Sequence, residues 1–317
     1  MKNIIFIFFF LCSISFVFAQ GNPSKYKSVD DTVAKLGTLS TFNVATIADT
    51  ITEKFTDKEQ QARAIFYWIA NNIAIDPKAT KQNDDKNTLP EKVIELRKAT
   101  PLGFSLLVQE MCSAANIRCL SVDGYVKNFA SEINETGYEK NYSWNVIQLG
   151  QSPETWFYAD ACRASGYLDK RLSAFTKQFT SEYFFADRKL FNLAYYPDNS
   201  AWLLGPGPKN KKEYYTFPVI NNYAFALQLN KPTPVIGYIK ATLKKPVNFS
   251  FMINGDVKNI SLLAGDDKKQ PKPEAMNFNN SGGLITFAYQ FKKEDTFPLR
   301  IIADGKELLQ YMVEVTE

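Results

Sequence analysis

Thr100-Pro101-Leu102-Gly103-Phe104-Ser105-Leu106-Leu107-Val108-Gln109-Glu110-Met111-Cys112 reads as the opening of a buried helix. Threonine suits the N-cap, and proline suits the first helical position because the amide it lacks would find no intrahelical acceptor there. Phe104, Leu106, Leu107, Met111 and Ala115 give the helix its apolar content. Beyond Asn116 the texture changes to short runs of β-branched and aromatic residues separated by Gly, Asn and Pro turns: Arg118 to Tyr125, Tyr142 to Leu149 and Trp156 to Ala161. Helices followed by an antiparallel sheet predict an α+β domain.

Working outward, Ala62, Ile65, Phe66, Ile69 and Ile73 recur at helical spacing, and the stretch from Val29 to about Ile73 reads as helical. Thr56 with Glu59 three residues on is a capping-box pattern, and Pro77 closes the segment. Lys78 to Asn87 reads as a polar loop, and Leu89 to Arg97 as a short helix. Gly205-Pro206-Gly207-Pro208-Lys209-Asn210-Lys211-Lys212 reads as a solvated linker, assigned to residues 205–216. Past it, residues 217–317 alternate apolar and polar side chains, with Asn254-Gly255 and Asp304-Gly305 as hairpin signals. Some seven short strands predict an all-β, immunoglobulin-like sandwich.

The amino terminus reads as an export signal. Met1-Lys2-Asn3 precedes an apolar run from Ile4 to Phe18, and Val17-Phe18-Ala19 offers small residues for cleavage after Ala19. The expected organisation is a signal peptide over 1–19, an α+β domain over 20–204, the linker, and a β-sandwich domain over 217–317. The location implied is secreted or periplasmic, with no membrane span after cleavage.

Composition narrows the chemistry. Among 317 residues there is no histidine. That excludes Ser-His and Cys-His nucleophile pairs and His-ligated zinc, and leaves no side chain with an ordinary pKa near neutrality. A net charge of +4 argues against a nucleic-acid partner. No cofactor or metal is expected: Asp84-Asp85 and Asp266-Asp267 lie in polar loops without regular oxygen-ligand spacing. After signal removal three cysteines remain, Cys112, Cys119 and Cys162, so at most one bridge can form. Cys112 reads as core packing, and whether Cys119 and Cys162 pair is left open by the sequence.

A set of ordered blocks carries a family resemblance. They are Ala62 to Ile73, Gly103-Phe104-Ser105, Ala115-Asn116-Ile117, Gly124 to Lys127, Ser143 to Val146, Trp156 to Ala161, Tyr183 to Asp187, Pro197-Asp198 and Trp202 to Leu204. Together, over roughly Asp57 to Leu204, the chain resembles a transglutaminase-like domain, a papain-related fold, and most closely its kyphoscoliosis-peptidase-like branch. The resemblance implies a Cys at the N-terminus of the central helix, a His on the first sheet strand and an Asp on the next. In this chain Pro101 stands at the Cys position and Tyr142 at the His position. Asp160 stands at the Asp position, and Tyr195 occupies a further His position of the branch.

Proline offers no nucleophile, and a phenol with a pKa of about 10 is a poor base at neutral pH. The expected function is therefore a secreted, non-catalytic transglutaminase-like protein, a pseudoenzyme that binds a peptide, a glycan or a protein partner. Tyr125, Tyr142, Trp144, Asp160 and Tyr195 are the candidate lining of a remnant cleft. The alternative is an active enzyme of the transglutaminase or cysteine-peptidase class using relocated residues, with Thr100, Ser105 and Cys112 as the available nucleophiles.

Overall fold

The structure, a computed structural model, describes residues 25–266 and 271–317. The expected signal segment 1–19 and Asp267 lie outside the described residues. Helices α1 (Lys27–Ala34), α2 (Val44–Thr52) and α3 (Lys58–Asn72) take up the stretch read as helical. The cap of α3 falls one residue later than expected: the Asp57 carboxylate, not Thr56, accepts from the Gln60 amide at 3.0 Å. Arg63 interrupts the apolar face of α3 yet is fully buried. It is tolerated because Nε and Nη2 donate to the two Asp30 carboxylate oxygens of α1 at 2.8 and 2.7 Å, a bidentate geometry that offsets the desolvation of both charges.

Strand β1 (Ala74–Ile75) leads into α4 (Pro77–Gln82), a turn of helix where the sequence suggested loop. The Asp76 side chain caps α4, accepting from Lys78 and Ala79 amides. Helix α5 (Pro90–Leu96) follows, and β2 (Lys98–Ala99) pairs in parallel with β1. The central helix α6 (Pro101–Ala114) starts at Pro101, as its sequence dictates. Thr100 sits at the cap position, but its hydroxyl donates outward to Asp85 Oδ1 at 2.6 Å instead of capping the helix.

Strands β3 (Arg118–Val126), β4 (Tyr142–Gln148) and β5 (Trp156–Ala159) form the antiparallel sheet expected of an α+β domain. Helix α7 (Ala161–Ser165), the hairpin β6 (Gly166–Leu168) with β7 (Phe175–Lys177), helix α8 (Arg188–Ala194) and strand β8 (Tyr195–Pro197) complete this part. The sheet order is β5-β4-β3-β8. Helix α6 is fastened across it by two polar contacts: Asn145 Nδ2 donates to Ser105 O at 2.9 Å, and the Ser121 amide donates to Gln109 Oε1 at 2.6 Å.

The segment 205–216 is not simply a solvated linker. Helix α9 (Lys211–Thr216) forms inside it, and Tyr214 and Tyr215 are fully buried. The Tyr214 hydroxyl donates to Ala194 O at 2.8 Å and accepts from the Lys127 amide at 3.1 Å, so two aromatic anchors outweigh the flanking lysines and glycines.

Beyond it come β9 (Val219–Ile220), α10 (Asn222–Ala226), β10 (Asn230–Thr233), β11 (Tyr238–Thr242), β12 (Pro246–Met252), β13 (Ile260–Ala264), β14 (Glu274–Met276), β15 (Asn279–Ser281), β16 (Leu284–Gln290), β17 (Asp295–Ala303) and β18 (Lys306–Thr316). One sheet runs β10-β12-β16-β15 and the other β11-β18-β17-β13-β14, with β9 added on β18. Pairing is antiparallel except for β11 with β18. Asp304-Gly305 turns the β17–β18 hairpin, with both residues at positive φ. Asn254-Gly255 does not make a hairpin: β12 and β13, on either side of it, lie in different sheets. Phe249 of one sheet and Tyr311 of the other pack edge to face at 5.8 Å. Their surroundings belong to one continuous apolar core that also holds α3, α6 and the first sheet.

Candidate functional site

The register of the first sheet decides which side chains meet. Gly124 of β3 lies opposite Tyr142 of β4 on one side and Pro197 of β8 on the other. With no side chain at Gly124, aromatic rings from the flanking strands close over it. A methyl there would overlap Tyr196 O and the Trp144 ring. Tyr195 consequently lies 5.8 Å from the Tyr142 ring and 5.4 Å from Trp144, both edge to face.

Strand β5 ends at Ala159 and is followed by Asp160, the N-cap of α7, which is 1% exposed. Its Oδ1 accepts from the Arg163 amide at 2.9 Å and, at a longer 3.4 Å, from the Tyr142 hydroxyl. Its Oδ2 accepts from the Tyr195 hydroxyl at 2.6 Å. Burial raises the Asp160 carboxyl above the usual range, against the opposing pull of Tyr195 and Arg163. Burial first, and then the carboxylate and neighbouring groups, raise the phenols of Tyr142 and Tyr195 well above their ordinary value. The Arg163 guanidinium lies 5.2 and 5.0 Å from the centroids of those two rings. Pro101, Tyr142, Cys162 and Arg163 all border one cleft of about 1680 Å³, which also reaches Arg300, Lys306 and Gln310 of the C-terminal strands.

Tyr142 and Asp160 therefore meet in space, with Tyr195 as the second phenol on the same carboxylate. The expected five-residue cleft lining does not form. Tyr142 borders the cleft, but Trp144, Asp160 and Tyr195 are buried beneath it. Tyr125 is buried in a separate tyrosine cluster with Tyr196, Tyr214 and Tyr215, and its hydroxyl donates to Asp198 at 2.8 Å. The cause is that Trp144 of β4 and Tyr195 of β8 point into the core and Asp160 is spent as the cap of α7, so only Tyr142, at the open end of β4, reaches the cleft.

The alternative nucleophiles are also placed. Ser105 Oγ is engaged with Ser121 Oγ at 2.7 Å and Leu102 O at 3.0 Å, inside the core. Cys112 is fully buried beside Cys119, whose thiol is raised by burial and by that neighbour. All three described cysteines are free, and Cys119 faces Cys112 instead of Cys162. Cys162 lies on α7 and is the thiol that the Asp160 carboxylate acts on. Burial and the adjacent Asp160 push it far above the ordinary thiol range. Among the described residues no cluster of acids and cysteines has a metal-binding arrangement.

Arg163 and Cys162 were missed by sequence reading. The usable signal for Arg163 was Asp160 followed three residues later by a donor amide, an N-cap pattern that places an arginine next to the cap on the cleft wall.

Residues 45–161 match the family model of the transglutaminase-like superfamily. This segment is a transglutaminase-like domain. The kyphoscoliosis peptidase of Mus musculus is 27% identical over 242 residues, covering 73% of this chain and 36% of that protein. That of Homo sapiens is 27% identical over 245 residues with the same coverage. These relatives put the transglutaminase-like domain in the kyphoscoliosis-peptidase-like branch, and the chain spans about a third of their length. A crystal structure of a TGase aligns over 54% of this chain and 38% of its own, at 14% identity and a TM-score of 0.29.

Proposed function

We propose that this transglutaminase-like protein is non-catalytic and holds an extended ligand, a peptide segment of a partner protein, in the cleft above Pro101 and Tyr142. One observation carries the reading: both Asp160 oxygens are taken by residues standing where the resemblance calls for histidines. A carboxylate so engaged has no imidazole to orient, and no thiol or hydroxyl at the site has a base to activate it. The cleft, at about 1680 Å³, exceeds the range of roughly 300–1,000 Å³ typical of small-molecule sites, which favours an extended occupant.

The export reading belongs with this proposal: residues 1–19 direct the chain to the periplasm or cell surface, and N-terminal sequencing of the mature protein should begin at Gln20. The two facing C-terminal sheets support the immunoglobulin-like reading of residues 217–317. Purified protein should show no amidase, peptidase or crosslinking turnover, and thiol alkylation should change nothing functional. Thiol-sensitive turnover of any peptide substrate would overturn the proposal. Introducing Pro101→Cys with Tyr142→His and Tyr195→Phe should create an alkylation-sensitive thiol of lowered pKa at the helix N-terminus.

A further inference from the structure

A second concave surface lies on the outer face of the β10-β12-β16-β15 sheet and shares no lining residue with the cleft. Its volume is about 590 Å³. The strand register lines up one polar side chain from each strand: Thr233 opposite Ser250, Ser250 opposite Thr286, and Thr286 opposite Asn279. This row spans roughly 14 Å at the usual strand spacing of about 4.8 Å. Asn248 lies beside it, opposite Ala288. Asn277 and Phe278, where the chain crosses from β14 to β15, close one side.

Two features set this surface apart. Its lining contains no Asp, Glu, Lys or Arg, on a chain in which 22% of residues are charged. Its polar side chains are also unspent: Thr233, Asn248, Ser250, Asn277, Asn279 and Thr286 make no side-chain hydrogen bond to another described residue. Other asparagines of the chain are used locally. Asn43, Asn199 and Asn210 cap helical turns, and Asn280, next to Asn279, accepts from the Gly283 amide.

We infer that this face binds a neutral oligosaccharide. Hydroxyl and carboxamide groups both donate and accept, which matches sugar hydroxyls that do the same. The absence of charge disfavours phosphorylated, uronate-rich or acidic ligands, which would be desolvated against no counter-charge. A peptide adding as a strand would pair along the free edges of β10 or β15 and leave uncovered the floor of the surface, made by β12 and β16, which are paired on both sides. The half-buried Phe278 ring offers an apolar plane at the border for the C–H face of a pyranose.

The test is calorimetric titration of the full chain with cellohexaose, maltohexaose, laminarihexaose and xylohexaose, with oligogalacturonate as the charged control. The expected result is binding of at least one neutral hexaose, with an affinity little changed between about 50 and 500 mM salt. The exposed-face variant Asn248→Ala with Asn279→Ala should lower that affinity by about tenfold or more while leaving the circular dichroism spectrum intact. Thr286→Val, which keeps shape and strand propensity, should weaken it as well. No binding by any of the four neutral probes, binding only of oligogalacturonate, or binding undiminished in both variants would overturn the inference.

Discussion

Replacing Asp160 with alanine would strand four groups at once: the Tyr195 and Tyr142 hydroxyls, the Arg163 amide at the start of α7, and the guanidinium that the carboxylate faces. Removing one partner from a buried polar network costs about 3–5 kcal/mol, and Asp160→Ala should lose that much in urea denaturation. Tyr195→Phe, which leaves Oδ2 unpaired, should cost about 1–3 kcal/mol. The phenols also fix an alkaline limit. Tyr142, Tyr195 and Tyr214 are raised by burial, so their stabilising contribution is complete below the unfolded phenol pKa of about 10. Above that pH the unfolded chain releases protons that the folded chain keeps, and stability falls as pH rises. The buried Lys127 is shifted the other way, so its contribution rises with pH until the unfolded lysine pKa of about 10.4 and opposes only the first part of this fall. Urea midpoints should drop between about pH 10 and 11.5, with the last part of the phenolate absorbance at 295 nm, that of these buried tyrosines, appearing only as the chain unfolds. At this scale Pro101, Tyr142 and Asp160 were legible because block spacing fixed their positions. Which neighbours they would touch was not, since that depends on strand register two strands away.

Elements were legible where one local force dominates and misread where a long-range anchor decides. The start of α6 follows from Thr100-Pro101, and the β17–β18 hairpin from Asp304-Gly305. Helix α9 was hidden because its lysines and neighbouring Gly-Pro pairs describe a solvated segment, while Tyr214 and Tyr215 find partners only in the folded molecule. Asn254-Gly255 carries the turn chemistry of a hairpin, but that chemistry does not specify which sheet the next strand joins. Strand β3 shows the converse, a glycine demanded by packing alone. Gly124→Ala has to push apart the Trp144 ring and the β8 backbone, and a β8 carbonyl cannot yield as a flexible side chain does. The substitution should cost about 1–3 kcal/mol by overpacking, whereas Gly282→Ala, with open space around it, should cost only the strain of its positive φ. Equal losses in chemical denaturation would contradict this account of the sheet.

A boundary after residue 204 suggests two units that fold separately, but the side chains across it predict one. Phe225 of α10 stacks on Tyr183 at 4.4 Å and lies 6.3 Å from the Tyr195 ring, so the C-terminal part covers the tyrosine that holds Asp160. Gln310 of β18 accepts from the Ala130 amide at 3.2 Å and donates to Asn128 O at 3.3 Å, while Val219 closes over Ala130 and Ile133. The cleft itself is walled from both sides. Scanning calorimetry should therefore give a single transition whose calorimetric and van't Hoff enthalpies agree. Phe225→Ala should lower stability by about 3–5 kcal/mol and shift that whole transition, because the cavity it leaves sits at the junction. A fragment ending at Leu204 should expose Tyr183, Ala130 and Ile133 and lack a cooperative transition. Two resolved transitions in the intact chain, only one of them moved by Phe225→Ala, would show that the parts are independent and that the cleft between them can open without unfolding either.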